Sequence, residues 1–374
     1  MNNNSNGPTP RAEARSFSPY VPGLSIDEIK EKYGLANVIK LASNENPLGV
    51  SPGVREVLES SLALAFRYPQ SGVPKLQAAI AAHHGLPETM VAAGNGSDEI
   101  IDLLVRVLAE PGKHNIVAFN PCFSIYRLQS KLAGVEFRQT PLNPDFTFPW
   151  ENLLALVDEN TRIVFVTTPD NPSGFCPPAE QLEALAASLP ASCLLVIDEA
   201  YMDFCDDEAA HSLLPQIRSI PNLAVLRTFS KSFGLAGLRI GYGLMPPYLA
   251  DILMRVHLPF SVNVLAEKAA IAALKDMVFY NETLRVVKEE RLRLAEEMRT
   301  LNFTVFPSQA NFIMVKPPHG QKTDAFFERL LEKGFIIRPL KSYGLDEYLR
   351  ITIGAPEENK LFIKACKEIL KWAR

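Results

Sequence analysis

Leu223-Ala-Val-Leu-Arg-Thr-Phe-Ser-Lys-Ser-Phe-Gly-Leu-Ala-Gly-Leu-Arg-Ile-Gly241 is the stretch on which the reading of the fold turns. Its first residues, an apolar run ending at Thr228, predict a short buried strand. The residues after Thr228 are small, kinked and polar, as suits a turn that brings backbone and hydroxyls against a ligand. Lys231 sits in that turn. An amine attacks a carbonyl carbon only when unprotonated, and desolvation or nearby positive charge moves lysine toward that state. Arg239 and the hydroxyls of Thr228 and Ser230 suit a phosphate. Taken alone, a Ser-Lys pair beside glycines is more commonly a solvated surface lysine, so the flanking chain must decide.

Upstream the same strand-then-turn pattern recurs. Val91-Ala-Ala-Gly-Asn-Gly-Ser-Asp-Glu99 is an apolar strand, then glycines, then Ser-Asp opening a helix that runs through Leu108. Such a turn aims unpaired N–H groups at an anion, although many helices begin Gly-Ser-Asp merely as a cap. It departs from G-x-G-x-x-G and from the Walker pattern, which disfavours a dinucleotide or nucleoside triphosphate. Asn115 to Phe119 is the next strand, ending in Asn-Pro-Cys-Phe123-Ser-Ile-Tyr126. The β-branched run Thr161 to Thr168 precedes the turn Pro169-Asp-Asn-Pro-Ser-Gly174. After a helix over 178–188, Cys193-Leu-Leu-Val-Ile-Asp-Glu-Ala-Tyr201 leaves the Asp198 carboxylate at the end of an apolar strand, which is costly unless something positive pairs with it. A helix cap would read the same way. A further strand begins at Arg239. The alternation from about 91 to 245 predicts an α/β fold, a mainly parallel sheet covered by helices on both faces, with ligand residues at the strand ends. Gly96, Asn171, Asp198 and Lys231 all fall there.

The flanks are of another kind. Residues 1–16 are too poor in apolar side chains to fold and are expected to be flexible. Ser18-Pro-Tyr-Val-Pro-Gly23 is an extended segment in which Tyr20 is either a packing aromatic or a ligand-facing phenol. Helices are expected near 26–33 and 52–64, on either side of the polar turn Asn44-Glu-Asn46-Pro47. His83-His84 ends a helix over Lys75 to His83; adjacent helical residues point about 100° apart, so the pair is not read as a metal site. From 250 to 300 the pattern is helical, Asn281 to Thr300 being one long helix with i,i+4 ion pairs. Arg338 and Arg350 lie inside apolar strands, where a guanidinium needs an anionic partner, either a structural ion pair or a ligand. The expected division is a flexible 1–16, a small α+β domain from 17–47 and 270–374, and a large domain over 48–269.

Composition narrows the function. At 374 residues the chain exceeds one small core. Thirty-eight Lys and Arg against 42 Asp and Glu give a net charge of −4, so nothing general attracts nucleic acid or an anionic membrane. No apolar run reaches the ~20 residues of a membrane span, and the first residues lack a signal-peptide pattern, so a cytoplasmic location is expected. The five cysteines are odd in number and never spaced as CxxC, and are expected to be reduced and packed rather than bridged or bound to metal.

Together these residues resemble the fold-type I pyridoxal-phosphate-dependent aminotransferases of class I/II, over nearly the whole chain from Ser18 to Arg350. In the branch that acts on histidinol phosphate the lysine signature runs Thr-x-Ser-Lys-small-x-small-x-x-Gly-x-Arg, as Thr228 to Arg239 does here. The resemblance implies a seven-stranded large-domain sheet, a smaller α+β domain and pyridoxal phosphate as cofactor. It implies that Lys231 forms the imine and carries the proton. Gly96, Ser97 and Asp98 would cradle the phosphate with Thr228, Ser230 and Arg239. Asp198 would pair with the ring nitrogen, and Asn171 and Tyr201 would donate to the phenolic oxygen. Phe123 stands where the family usually has a tyrosine stacked on the ring; stacking survives without the hydroxyl. The turn at Pro169 also differs from the family's Pro-Asn-Asn-Pro-Thr-Gly, with Asn171 kept. Tyr20, Asn46, Tyr68, Arg338 and Arg350 would bind substrate, Tyr68 from the neighbouring subunit of a homodimer. The implied reaction is ping-pong transamination of histidinol phosphate with 2-oxoglutarate. Aromatic amino-acid transamination and threonine-phosphate decarboxylation share most of these motifs. A non-catalytic cofactor-binding regulator would need a partner or DNA-binding module, which the sequence does not offer.

Overall fold

The apolar runs become seven strands of one sheet, in spatial order Val91–Gly94, Gly241–Leu244, Leu223–Thr228, Leu194–Asp198, Thr161–Thr167, Asn115–Asn120 and Glu136–Pro141. The computed structural model describes residues 7–15, 17 and 23–371. All neighbours pair in parallel except Gly241–Leu244, which runs antiparallel to both strands beside it. Burial on both faces explains the continuous apolar runs. Val164, Val166, Leu195, Ile197 and Val225 pack on one side, while the alternate residues Ile163, Phe165, Leu194, Val196, Ala224 and Leu226 pack on the other. Each fully buried aliphatic contributes roughly 1.5–3 kcal/mol. Helix Ser97–Leu108 covers the second face with Ile100, Ile101, Leu104 and Val105, spaced as one helical stripe.

Two strands of this sheet differ from the sequence-based expectation. The strand expected to begin at Arg239 begins at Gly241; Arg239 itself is in the left-handed region (φ 53°), ending a short 3₁₀ turn at Ala236–Leu238. That turn reverses the chain so that Gly241 lies opposite Thr228, bringing Arg239 back beside the turn that carries Lys231. A side chain at Gly241 would put a Cβ 2.4 Å from the backbone nitrogen of Ser97, so only glycine allows this strand to abut the start of the helix. The edge strand Glu136–Pro141 had no signal, because an edge strand half open to water carries polar residues.

A second core is built by both ends of the chain. Phe312–Lys316, flanked by Leu345–Thr352 and Thr304–Val305, is the middle of an antiparallel sheet whose edge is Arg338–Leu340. Ile39–Lys40 pairs in parallel with Phe335–Ile336, and the Thr352 amide donates to the Leu41 carbonyl. Helices Met277–Thr300 and Pro356–Lys371 pack on this core, with Leu294, Met298, Phe362 and Ile369 buried. The expected boundary at 270 falls inside helix Val264–Lys275, which packs on helices Pro52–Ser61 and Pro74–His84 of the large domain. The break comes at Asp276, whose carboxylate caps the next helix by accepting from the Phe279 amide at 3.2 Å. Within the segment expected to be flexible, Ala12–Arg15 form one helical turn. Among the described residues no helix is long and apolar enough to cross a membrane.

Candidate active site

The parallel strands end on a common side, and the turns after them enclose a cavity of about 280 Å³. Its lining includes Ser97, Asp98, Phe123, Asn171, Asp198, Tyr201, Thr228, Ser230, Lys231 and Arg239, residues from five stretches widely separated in sequence. Gly96 stands behind this lining as the N-cap of helix Ser97–Leu108, at φ 77°. A Cβ there would come within 2.7 Å of the Arg239 guanidinium. The helix start, the guanidinium and the Ser230 hydroxyl, 3.5 Å from Arg239 Nη1, form a concave, positively polarised corner. Thr228 shapes it from below: its Oγ1 accepts from the Ser230 amide at 3.1 Å. Asp98 is held by Arg239 Nη2 at 3.1 Å, while burial pushes its carboxyl upward.

Lys231 Nζ lies at the centre, donating to the Ser43 carbonyl at 3.3 Å. Burial, then the Arg350 and Arg239 guanidinium groups, bring its pKa down to about 8, against the opposing pull of Glu45 and Asp98. Asp198, 3% exposed, accepts from the Tyr126 hydroxyl at 2.7 Å and from the Ala200 amide at 3.2 Å. These bonds do not offset burial, which pushes its pKa up to about 6. The carboxylate lacks a full positive partner, as a site built to receive one would. Tyr201 is buried with its hydroxyl accepting from Asn44 Nδ2 at 3.1 Å. Asn171 Oδ1 accepts from Arg350 Nη1 at 2.5 Å, so its Nδ2 is the donor left over.

Arg350, from the smaller domain, stands behind Asn171 of this lining. Nη2 donates to the Ala42 carbonyl at 2.9 Å, and Nε is buried with no hydrogen-bond partner among the described residues. Arg338 stands directly opposite Arg350 across the paired strands. It lines an adjoining cavity with Arg127, Gln139 and Tyr343. The other expected substrate residues are placed differently. Asn46 is turned away from the lining: Nδ2 donates to the Ser232 carbonyl at 2.8 Å and Oδ1 accepts from the Leu48 amide at 2.9 Å. Tyr68 is 81% exposed on the surface, its ring 4.8 Å from that of Phe260. Tyr20 lies outside the described residues. His84 is a packing residue, 2.8 Å from the Tyr242 hydroxyl.

Sequence reasoning missed two supports of the site, Tyr126 and Ser43, and read Asn44 only as part of the turn at the mouth of the site. Tyr126 also shares a 2.8 Å hydrogen bond with Thr167 Oγ1 and so fixes the Asp198 carboxylate. Its spacing of one helical turn from Phe123 was the available signal, since the two side chains share a face. Ser43 and Asn44 reach Lys231 and Tyr201 from nearly 160 residues or more away in sequence, a contact no local pattern announces.

A strand-end cavity holding a desolvated lysine, a buried acid and an anion corner defines an enzyme site of the aminotransferase kind. The chain belongs to the class I and II aminotransferases, whose family model matches residues 36–366. It is 65% identical over 365 residues to a histidinol-phosphate aminotransferase of Nitratidesulfovibrio vulgaris, covering 97% of each chain. It is 58% identical to one of Oleidesulfovibrio alaskensis, covering 96% of this chain and 95% of that one. Among solved structures it resembles the histidinol-phosphate aminotransferase of Sinorhizobium meliloti in complex with pyridoxal-5'-phosphate. That match has a TM-score of 0.87 at 28% identity, covering 97% of this chain and 98% of the other.

Proposed function

We propose that this aminotransferase uses pyridoxal phosphate to exchange the amino group of histidinol phosphate with 2-oxoglutarate. The observation that carries the substrate assignment is the pairing of Arg338 with Arg350 across one antiparallel ladder. Residues directly opposite on such a ladder project from the same face, so the two guanidinium groups lie side by side, Arg338 lining the adjoining cavity and Arg350 against Asn171 of the first. One donor must offer a phosphate and the acceptor two carboxylates, and forked arginine donors suit both anions. The high identity to relatives bearing that name supports the same substrate.

The residues present fit the cofactor. A glycine at φ 77° with a guanidinium against it leaves a cradle that any side chain would fill. Asp198 is a buried acid in need of a cation, and the Asn171 amide is fixed so that Nδ2 donates. Ser97, Asp98, Thr228, Ser230 and Arg239 would hold the phosphate, with Gly96 shaping the cradle. Phe123 would face the ring, Asp198 its nitrogen, and Asn171 and Tyr201 its phenolic oxygen. When bound, the cofactor supplies an electron-withdrawing ring that accepts the electrons released as a proton leaves the amine-bearing carbon. Lys231 Nζ, its pKa near neutrality, is the group suited to carry that proton. Arg350 orients the carboxylate of the acceptor, and Tyr68 of a second copy completes the substrate pocket in a homodimer.

The test compares histidinol phosphate, phenylalanine and threonine phosphate side by side with 2-oxoglutarate, recording glutamate formation and carbon dioxide release. Histidinol phosphate is expected to be the best donor, without carbon dioxide. A clear preference for phenylalanine overturns the assignment, and carbon dioxide from threonine phosphate makes the protein a lyase.

A further inference from the structure

Cys176, Cys205 and His211 have no part in the chemistry above, yet the fold brings one donor atom of each within 4.8 Å of the others. We infer that these three side chains form a binding site for a soft divalent cation of the zinc type. The spacing, Cys205 standing 29 positions after Cys176 and His211 six positions after Cys205, matches no local metal motif. The site is therefore assembled only by the tertiary fold.

Several independent contacts hold the donors ready. The residues on either side of Cys205 are held by buried Arg291, which donates to the Phe204 backbone carbonyl at 2.9 Å and to the Asp206 side-chain carboxylate at 2.7 Å. His211 Nδ1 lies 2.8 Å from the Pro177 carbonyl oxygen. That acceptor keeps the proton on Nδ1 and leaves Nε2 as the lone-pair nitrogen, the arrangement usual for a ligating imidazole. The Thr168 hydroxyl, 3.3 Å from Cys176 Sγ, can donate to a thiolate in the same supporting way. A zinc–sulfur bond of about 2.3 Å puts tetrahedral ligand atoms about 3.8 Å apart, so closure asks for shifts of roughly an ångström. Both cysteines are buried, while the segment 206–210 above them is exposed throughout, which gives an ion its way in and a fourth position for water. Two thiolates and a neutral imidazole make a divalent ion electrically neutral, which suits a site largely out of water.

The location gives the ion something to do. Cys176 is five residues beyond Asn171, and Cys205 four beyond Tyr201. A bound ion would staple together two turns that line the cavity.

The experiment uses the reduced, cofactor-loaded protein, freed of metal by a chelator and titrated with cobalt(II) alone. One ion per chain is expected, with thiolate-to-cobalt charge-transfer absorbance that zinc abolishes. Cys176→Ser and Cys205→Ser should lose the absorbance, and His211→Ala should weaken binding about tenfold or more. In the unmutated protein, zinc should protect Cys176 and Cys205, and not Cys122, from alkylation read by peptide mass spectrometry. This arm does not depend on any variant folding. Absence of charge-transfer absorbance, its survival in both serine variants, or no zinc protection at the two cysteines overturns the proposal. So does recovery of the pair as a disulfide that takes up no metal after reduction.

Discussion

Lys231 shows what the fold does to one residue. A solvated lysine is almost wholly protonated at neutral pH, whereas here burial and two guanidinium groups bring the pKa to about 8. The rate at which cofactor-free protein takes up pyridoxal phosphate should climb about tenfold per pH unit up to about 8 and level off above it, measured by stopped-flow absorbance. A pH-independent rate below 8 would show that the amine is not the titrating group. Stability responds to the same proton. The folded pKa is below that of the unfolded chain, so between about 8 and 10.5 the unfolded chain binds more protons and the cofactor-free fold gains stability as pH rises. Because the side chain is partly open to the cavity, the gain is roughly 1–3 kcal/mol. Lys231→Met should remove that slope in urea titrations. At this scale much was legible: Lys231, Asp198 and Asn171 stand at strand ends, where a polar residue after an apolar run is conspicuous. Tyr126 and Ser43 were not, because their roles exist only through partners brought by tertiary folding.

Among the elements, the strand Leu223–Thr228 depends on a residue that the sequence presented only as its polar end. Arg227, 4% exposed, donates to Glu199 at 2.6 and 2.9 Å, to Asp203 at 2.7 Å and to Glu208 at 2.7 Å. Asp203 in turn accepts from the hydroxyl of Ser232, the residue after Lys231. The network thus anchors the lysine turn from beneath. Arg227→Met would leave Glu199 buried without its cation and should cost about 3–5 kcal/mol, read as a lowered urea midpoint. Adding Glu199→Gln should recover part of the loss, and a single-variant loss below about 1 kcal/mol would show that the network is ornamental. Strands with two buried faces were readable as apolar runs. The edge strand Glu136–Pro141 was not, and the start of Gly241–Leu244 was displaced by a turn whose left-handed arginine no local pattern marks.

For the whole molecule, the surface around Tyr68 matters most. Phe66, Tyr68, Leu258 and Phe260 are exposed apolar residues, and Phe66, Tyr68 and Phe260 share one shallow cavity with Arg67. Tyr68 cannot serve its proposed role from there within one chain, so the reading requires a second copy. Lys231→Ala and Tyr68→Ala proteins, each inactive alone, should regain about a quarter of full activity after mixing and subunit exchange, because half the dimers are hybrids with one intact site of two. No recovery, with exchange verified by mass, would place Tyr68 outside the site. The two-core layout was legible from the change of periodicity after 250. Its seam falls a few residues beyond the expected 269/270, because helix Val264–Lys275, with five alanines in its twelve residues, carries no boundary signal.

The pairing of Ile39–Lys40 with Phe335–Ile336 also fixes an order of events during synthesis. Every strand of the large sheet has been made once Leu244 is translated, so the cradle and Lys231 can form while the chain is still growing. Arg350, whose guanidinium rests on the Ala42 carbonyl, comes more than 300 residues after the segment it must meet. The segment around Ala42 therefore meets its large-domain partners, Tyr201 and Lys231, long before Arg350 is made, and the contact that ties it to the end of the chain is the last to become possible.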